Sequence, residues 1–327
     1  MKLARLLFLS SALALASTFG TSAIAADSTP KSLTQYHQVA DSYSFPLGDL
    51  QITSFSDGTV PQDLYKLLNG TSHAEIDGLL HKEYQANPVE VSINVFMIQD
   101  GKRTILVDTG SGDLFGPSFG GKVLDSLKSR GIKPQDVTDI LITHIHTDHT
   151  GGLVHDGKPV FPNAIVHVSA IDENFFLNPE NSKKTGYSER YFDEAIETVG
   201  VYNKLGKVKT FADNDTILPG IKVSIHPGHT PGSAFYTVTS EGKTIVFIGD
   251  TIHVAAVQFP EPKITIQYDV DPKQAATTRI NAFNNLSAED LLVAAPHLPF
   301  PGIGHISKEG NDRFGWHPVE YRNRASQ

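Results

Sequence analysis

The sequence predicts a layered α/β fold in which helices cover both faces of a β core. Two observations carry that expectation. Short apolar runs of strand length recur through both halves of the chain, among them Thr104-Ile105-Leu106-Val107, Ile140-Leu141-Ile142, Thr244–Ile248 and Leu291–Ala295. Between them lie stretches with apolar residues at helical spacing, at 72–86, 122–130, 189–199 and 273–284. No short-period repeat and no Ser/Gly linker divides the 327 residues, so one domain is expected.

The first 25 residues stand apart. Lys2 and Arg5 precede an apolar run from Leu6 to Leu15, and Ala23-Ile24-Ala25 offers small residues for cleavage. That is the pattern of an export signal, cut before Ala26, and it predicts a periplasmic or secreted protein. The run is shorter than the about 20 apolar residues of a membrane span. Residues 26–44 are polar and turn-rich; an N-terminal arm is drawn over 26–47 and a hydrolase domain over 48–327.

Leu50, Ile52 and Phe55 mark a strand, which Asp57-Gly58 is expected to close as a turn. Ile76, Leu79 and Leu80 suit a helix over 72–86. Val89–Ile98 is a strand closed by the hairpin signal Asp100-Gly101. Thr104–Val107 delivers Asp108-Thr109-Gly110 to a loop, and a helix over Lys122–Arg130 stops at Gly131. Further on come a strand at Ala164–Val168, a helix from Ile171 to Leu177, a polar irregular segment at Asn178–Ser188 and a helix over Glu189–Val199. The third quarter is β-rich, with strands at Lys207–Phe211, Ile221–Ile225, Ser233–Val238 and Thr244–Ile248. A helix over Lys273–Asn284 and a last strand, Leu291–Ala295, complete the reading.

The chemistry concentrates after Ile140-Leu141-Ile142, in Thr143-His144-Ile145-His146-Thr147-Asp148-His149-Thr150-Gly151-Gly152. Residues two apart on an extended chain point the same way, so His144 and His146 can converge on one ion. Asp148 and His149 follow the turn and can face a second. Imidazoles plus a carboxylate, without thiolate, suit zinc or a similar divalent metal. Three more candidates sit where strands end. His229 lies in the turn Pro227-Gly228-His229-Thr230-Pro231-Gly232, Asp250 follows Thr244–Ile248, and His297 follows Leu291–Ala295.

Composition narrows the function. There is no cysteine, so neither a disulfide nor a thiolate nucleophile is available. A net charge of −9, which becomes more negative once Lys2 and Arg5 are removed, disfavours a nucleic-acid partner. No GxSxG elbow points to a serine hydrolase.

The series His144, His146, Asp148, His149, His229, Asp250 and His297 resembles the HxHxDH…H…D…H pattern of the metallo-β-lactamase superfamily. Within it the chain is most similar to the methyl parathion hydrolase group and related lactonases and arylesterases. That closer match rests on Leu114-Phe115-Gly116-Pro117, Asp250–Phe259 and Phe300–Ile306. The resemblance implies a four-layer αββα sandwich with two divalent ions, zinc being expected, at one edge of its sheets. His144, His146 and His229 would hold one ion, Asp148, His149 and His297 the other, and Asp250 would bridge them; Asp250, Asp148 and His297 are the expected catalytic residues. Such a pair of ions supplies a hydroxide nucleophile at neutral pH. Asp108 is expected to hold the metal loops from behind. Phe115, Phe176 and Tyr191 are expected to line an aromatic substrate pocket, while His226, His253 and His305 are read as packing or supporting residues and His155 as surface.

The resulting expectation is an exported hydrolase of small esters, lactones or phosphotriesters, with aryl esters and lactones favoured and a homodimer as the assembly of its relatives. An organophosphate hydrolase is the near alternative. A non-catalytic periplasmic metal- or ligand-binding protein is the distant one, and a bridging carboxylate argues against it.

Overall fold

A computed structural model describes residues 42–116 and 118–322. The export signal and most of the N-terminal arm lie outside the described residues. Two seven-stranded sheets form the centre, and in each the spatial order of strands follows the order of the chain. The first comprises β1 (Ser42–Leu47), β2 (Leu50–Gln62), β3 (Val89–Gln99), β4 (Thr104–Val107), β5 (Asp139–Leu141), β6 (Ile165–Ser169) and β7 (Val208–Phe211). β1 to β4 are antiparallel, and β4 to β7 run parallel with helical crossovers. The second comprises β8 (Thr216–Leu218), β9 (Ile221–Ile225), β10 (Ala234–Ser240), β11 (Lys243–Phe247), β12 (Leu292–Ala294), β13 (Ile303–Gly310) and β14 (Arg313–Pro318). It is antiparallel except where β11 and β12 pair in parallel across the long helix Pro272–Ala288.

The side-chain period of two explains the layers. In β3, Phe96 and Ile98 point to the other sheet and pack with Val223, Tyr236, Ile245 and Phe247, while Val95 and Met97 point outward. There they meet helices Val123–Ser129, Ala170–Phe176 and Glu189–Glu197 through Leu127, Phe176 and Phe192. On the far side Val246 and Val293 pack against Ala282, Phe283 and Leu286 of the long helix. The architecture is therefore helix, sheet, sheet, helix. No helix among the described residues is long and apolar enough to cross a membrane.

Four expectations need correction. Residues 42–47, assigned to the arm, form edge strand β1, paired residue for residue with Leu50–Phe55. Asp57-Gly58 is not a turn: β2 continues to Gln62 through a register shift at this point. The Asp57 carboxylate turns inward and accepts bonds from the backbone N–H of Ser111, Gly121, Lys122 and Val123 and from the Ser111 hydroxyl, at 2.7–3.0 Å. Asn178–Ser188 is not wholly irregular, since Glu180–Thr185 is a helix ended by left-handed Gly186. Leu292–Ala294 is not the last strand; β13 and β14 follow, and their half-exposed edge pattern gives little apolar signal.

Candidate metal centre

The seven candidate ligands gather at one edge of the two sheets because each follows a strand end. His144 and His146 lie just beyond β5, and Asp148 and His149 in the helical turn Thr147–Thr150. His229 follows β9, Asp250 follows β11 in the turn Gly249–Thr251, and His297 follows β12. A buried strand cannot stop inside its sheet, so polar residues after it emerge at the edge. Gly151-Gly152 then lets the loop close. A Cβ on Gly151 would stand 2.1 Å from the Ser111 carbonyl oxygen, and one on Gly152 2.1 Å from that of Thr109.

Four groups of ligand atoms converge, each within 4.8 Å: His144 with His146 and His229, Asp148 with His149 and His297, Asp250 with His144 and His149, and Asp250 with His229 and His253. Asp250 therefore stands between the two histidine sets. Its Oδ2 is 3.3 Å from His229 Nε2 and 3.0 Å from His297 Nε2, and its Oδ1 is 3.2 Å from His149 Nε2. His144 Nε2, His149 Nε2 and Asp250 Oδ1 are buried and have no hydrogen-bond partner in the protein. Unpaired buried polar atoms are costly, and here they face one another, which fits divalent cations as their missing partners. Nitrogen and carboxylate donors in these numbers suit zinc. Among protein groups alone, burial holds His144 and His146 well below the usual histidine range, hence neutral and able to ligate. Burial pushes the Asp250 carboxyl up, but the surrounding His149, His297 and His144 outweigh it and hold Asp250 ionised.

The outer nitrogens are tied as well. His149 Nδ1 donates to Asp108 Oδ2 at 2.8 Å, His229 Nδ1 to Asp269 Oδ1 at 2.9 Å, and His297 Nδ1 to the Ser92 carbonyl at 2.8 Å. Such bonds fix the tautomer and leave Nε2 as a lone pair for the ion. Asp108 also accepts from the Thr143 N–H and hydroxyl, both at 2.8 Å, so it fastens the start of the His144–His149 loop and the His149 ring from behind.

Several groups at the site carried no sequence signal. Asp172, buried in the helix after β6, accepts from Ile145 N–H, the Thr230 hydroxyl and Gly232 N–H, tying the His144–His146 loop to the His229 turn. Burial pushes its carboxyl up to about 6. Buried Arg279 donates to the carbonyls of Thr251, Pro262 and Ile264, fastening the excursion that follows Asp250. His253, read as a supporting residue, joins the cluster itself, with Nε2 3.1 Å from Asp250 Oδ2 and its ring stacked on His297. Only its spacing of three from Asp250 in a strand-end turn could have pointed to it.

The expected aromatic pocket divides. Tyr191 is half-buried and lies against His146, ring centroids 4.8 Å apart, with Tyr187 stacked on it at 5.0 Å. Phe176 does not line a pocket. It is 0% exposed, packed between Phe175 and Phe192 with its edge toward His146, because its helix turns that face to the core of the first sheet. Phe115 is half-buried on the turn Asp113–Gly116, outside the ring contacts around His146. Among the ligands Asp148 has the most open side chain, 16% against 6% or less for those beside it, which marks the approach to the centre.

The metallo-β-lactamase superfamily profile matches residues 88–306, which contain all seven ligands. A solved structure described as the hydrolase AbOPH in the β-lactamase superfamily is 38% identical, covers 88% of this chain and 100% of its own, and superposes with a TM-score of 0.83. AidC, a dizinc quorum-quenching lactonase solved with its product, is 28% identical over 87% of this chain and 99% of its own, with a TM-score of 0.80. Among curated proteins, an atrochrysone carboxyl ACP thioesterase of Passalora fulva is 27% identical over 49% of this chain. The chain spans about half the length, or less, of the first curated relatives it matches.

Proposed function

The chain belongs to the metallo-β-lactamase superfamily, and from that membership we propose that it is a dinuclear zinc hydrolase of small esters and lactones. The observation that carries this reading is Asp250, whose single carboxylate reaches His229 of one ligand set and His149 and His297 of the other. A protein that only stored or carried a metal would need no carboxylate shared between two sites. The lactonase neighbour supports the substrate class and the dizinc centre. When bound, two such ions supply a hydroxide nucleophile at neutral pH and polarise the acyl oxygen.

The chain's own residues do the rest. Asp148, the most open of these ligands, leaves one side of the centre accessible. Tyr191 and Tyr187 form a flat wall beside His146 that suits the ring of an aryl ester or lactone, each stacking contact contributing about 0.5–1.5 kcal/mol. His253, with Nε2 3.1 Å from Asp250 Oδ2, adds a buried imidazole beside the shared carboxylate. Asp172 and Arg279 hold the ligand loops so that the donors stay in place before substrate arrives.

We further propose phosphotriesters as slower substrates, and export after cleavage before Ala26. The test of function is a panel of phenyl acetate, dihydrocoumarin and methyl parathion, assayed with and without a chelator. Chelator-sensitive turnover led by the first two supports the reading, methyl parathion as the best substrate reverses its order, and no turnover by zinc-loaded protein refutes it. N-terminal sequencing of exported protein tests the cleavage site.

A further inference from the structure

One hydroxyl at the centre is not accounted for by the ligand set or by the aromatic wall. Tyr187 Oη lies 2.9 Å from His146 Nε2 and 2.8 Å from the Tyr268 carbonyl oxygen. A phenol has a single proton to give. The carbonyl can only accept, and among the described residues this is the one bond made to it, so the Tyr187 proton points there. His146 Nε2 must then be the donor to Tyr187 Oη, since two lone pairs at 2.9 Å would repel. The neutral His146 ring thus carries its proton on Nε2 and a bare lone pair on Nδ1.

That lone pair faces another. His146 Nδ1 is 3.0 Å from His229 Nε2, and His229 already donates its own proton from Nδ1 to Asp269. Two facing lone pairs at that distance repel unless positive charge lies between them, as a metal ion or as a second proton on His229. In the opposite tautomer His146 would place a proton on Nδ1 and donate it to His229 Nε2, closing the site with a hydrogen bond where the ion belongs. Without a hydroxyl at 187, His146 Nε2–H loses the acceptor the structure gives it, and the tautomer that closes the site gains.

We propose that Tyr187 is a positioning residue for the His144–His146–His229 ion. By accepting a hydrogen bond from His146 Nε2–H and donating its own hydroxyl hydrogen bond to the Tyr268 carbonyl, it selects the tautomer that opens Nδ1 to the metal. The inference rests on the metal-centre reading above. It gives the segment between the helices Glu180–Thr185 and Glu189–Glu197 a task beyond connection: the ring that helps form the substrate wall also sets the ligand behind it.

The test uses the full-length zinc-loaded protein and Tyr187→Phe, which keeps the ring and its stacking on Tyr191 and removes one oxygen. Zinc affinity is measured by competition with a chromophoric chelator. The expected result is that one of two binding steps weakens about 10- to 100-fold while the other is unchanged. Tyr191→Phe, at a ring that also touches His146 but has no bond to its nitrogens, should leave both steps at the parent values. Long-range 1H–15N correlation spectra of the zinc-loaded parent should show His146 protonated at Nε2, a readout independent of how well any variant folds. Parent-like affinity of Tyr187→Phe at both steps, equal weakening of both, or a parent His146 without a proton on Nε2 would each overturn the proposal. A parent that binds no zinc would instead remove the metal-centre reading on which it stands.

Discussion

Asp108→Asn isolates a carboxylate that supports the centre without being placed among its ligand groups. In the parent, Oδ1 accepts the Thr143 N–H, and Oδ2 accepts the Thr143 hydroxyl and His149 Nδ1, all at 2.8 Å. The amide has one acceptor oxygen. Whichever way it turns, its NH2 meets at least one buried donor, leaving that donor unpaired at a cost of about 1–3 kcal/mol. The bonds that survive are no longer to a charge, and each weakens by about 1 kcal/mol. The total comes to about 3–5 kcal/mol, a large share of the about 5–15 kcal/mol typical of a domain, so the variant should fold but unfold at clearly lower urea. His149 also loses its anionic partner, and zinc affinity at the Asp148–His149–His297 position should fall about 10- to 100-fold. Urea unfolding of chelator-treated protein measures the first effect and zinc competition the second. A stability loss below about 1 kcal/mol together with parent-like zinc binding would refute the role given to Asp108.

Asp250→Ala should abolish turnover and cost more than removal of any one ligand histidine, because it touches both sets; chelator treatment should abolish parent activity and added zinc restore it, while full activity of metal-free protein would end the mechanism. Asp100→Asn tests a pH dependence away from the centre. Burial pushes the Asp100 carboxyl up, but the Arg103 and Lys102 N–H groups and the Arg103 guanidinium more than reverse it and hold it at about 2. A depressed carboxylate stabilises the fold above its unfolded pKa, and that stability is lost as pH falls through about 2. The variant should be about 1 kcal/mol less stable at pH 7, after allowance for solvent screening, and the gap should close between about pH 4 and 2; a gap independent of pH contradicts the assignment. Tyr191→Ala should raise KM for aryl esters more than for small alkyl esters, and equal effects in the two classes would place Tyr191 outside the pocket.

The sequence by itself determined the chemistry of the centre and the layered fold. Apolar runs fix strands, strands must end at sheet edges, and His144, His146, Asp148, His149, His229, Asp250 and His297 all stand just past such ends, so a linear reading could bring them together. The hairpin at Asp100-Gly101 was equally legible, because its bonds close within a few residues. What only the tertiary structure decided depends on partners distant in sequence. Asp57 reads as a turn former beside Gly58, yet four N–H groups 54 to 66 residues away make it a buried acceptor inside a strand. Phe176 reads as a pocket residue until its helix is seen to turn it into the core. Tyr187 and Asp172 sit in segments with no motif, and their bonds are made to the Tyr268 carbonyl, 81 residues on, and to Gly232 N–H, 60 residues on. A spacing pattern names the candidate ligands; the groups that aim them are chosen by packing, which follows distance in space and leaves no local trace in the chain.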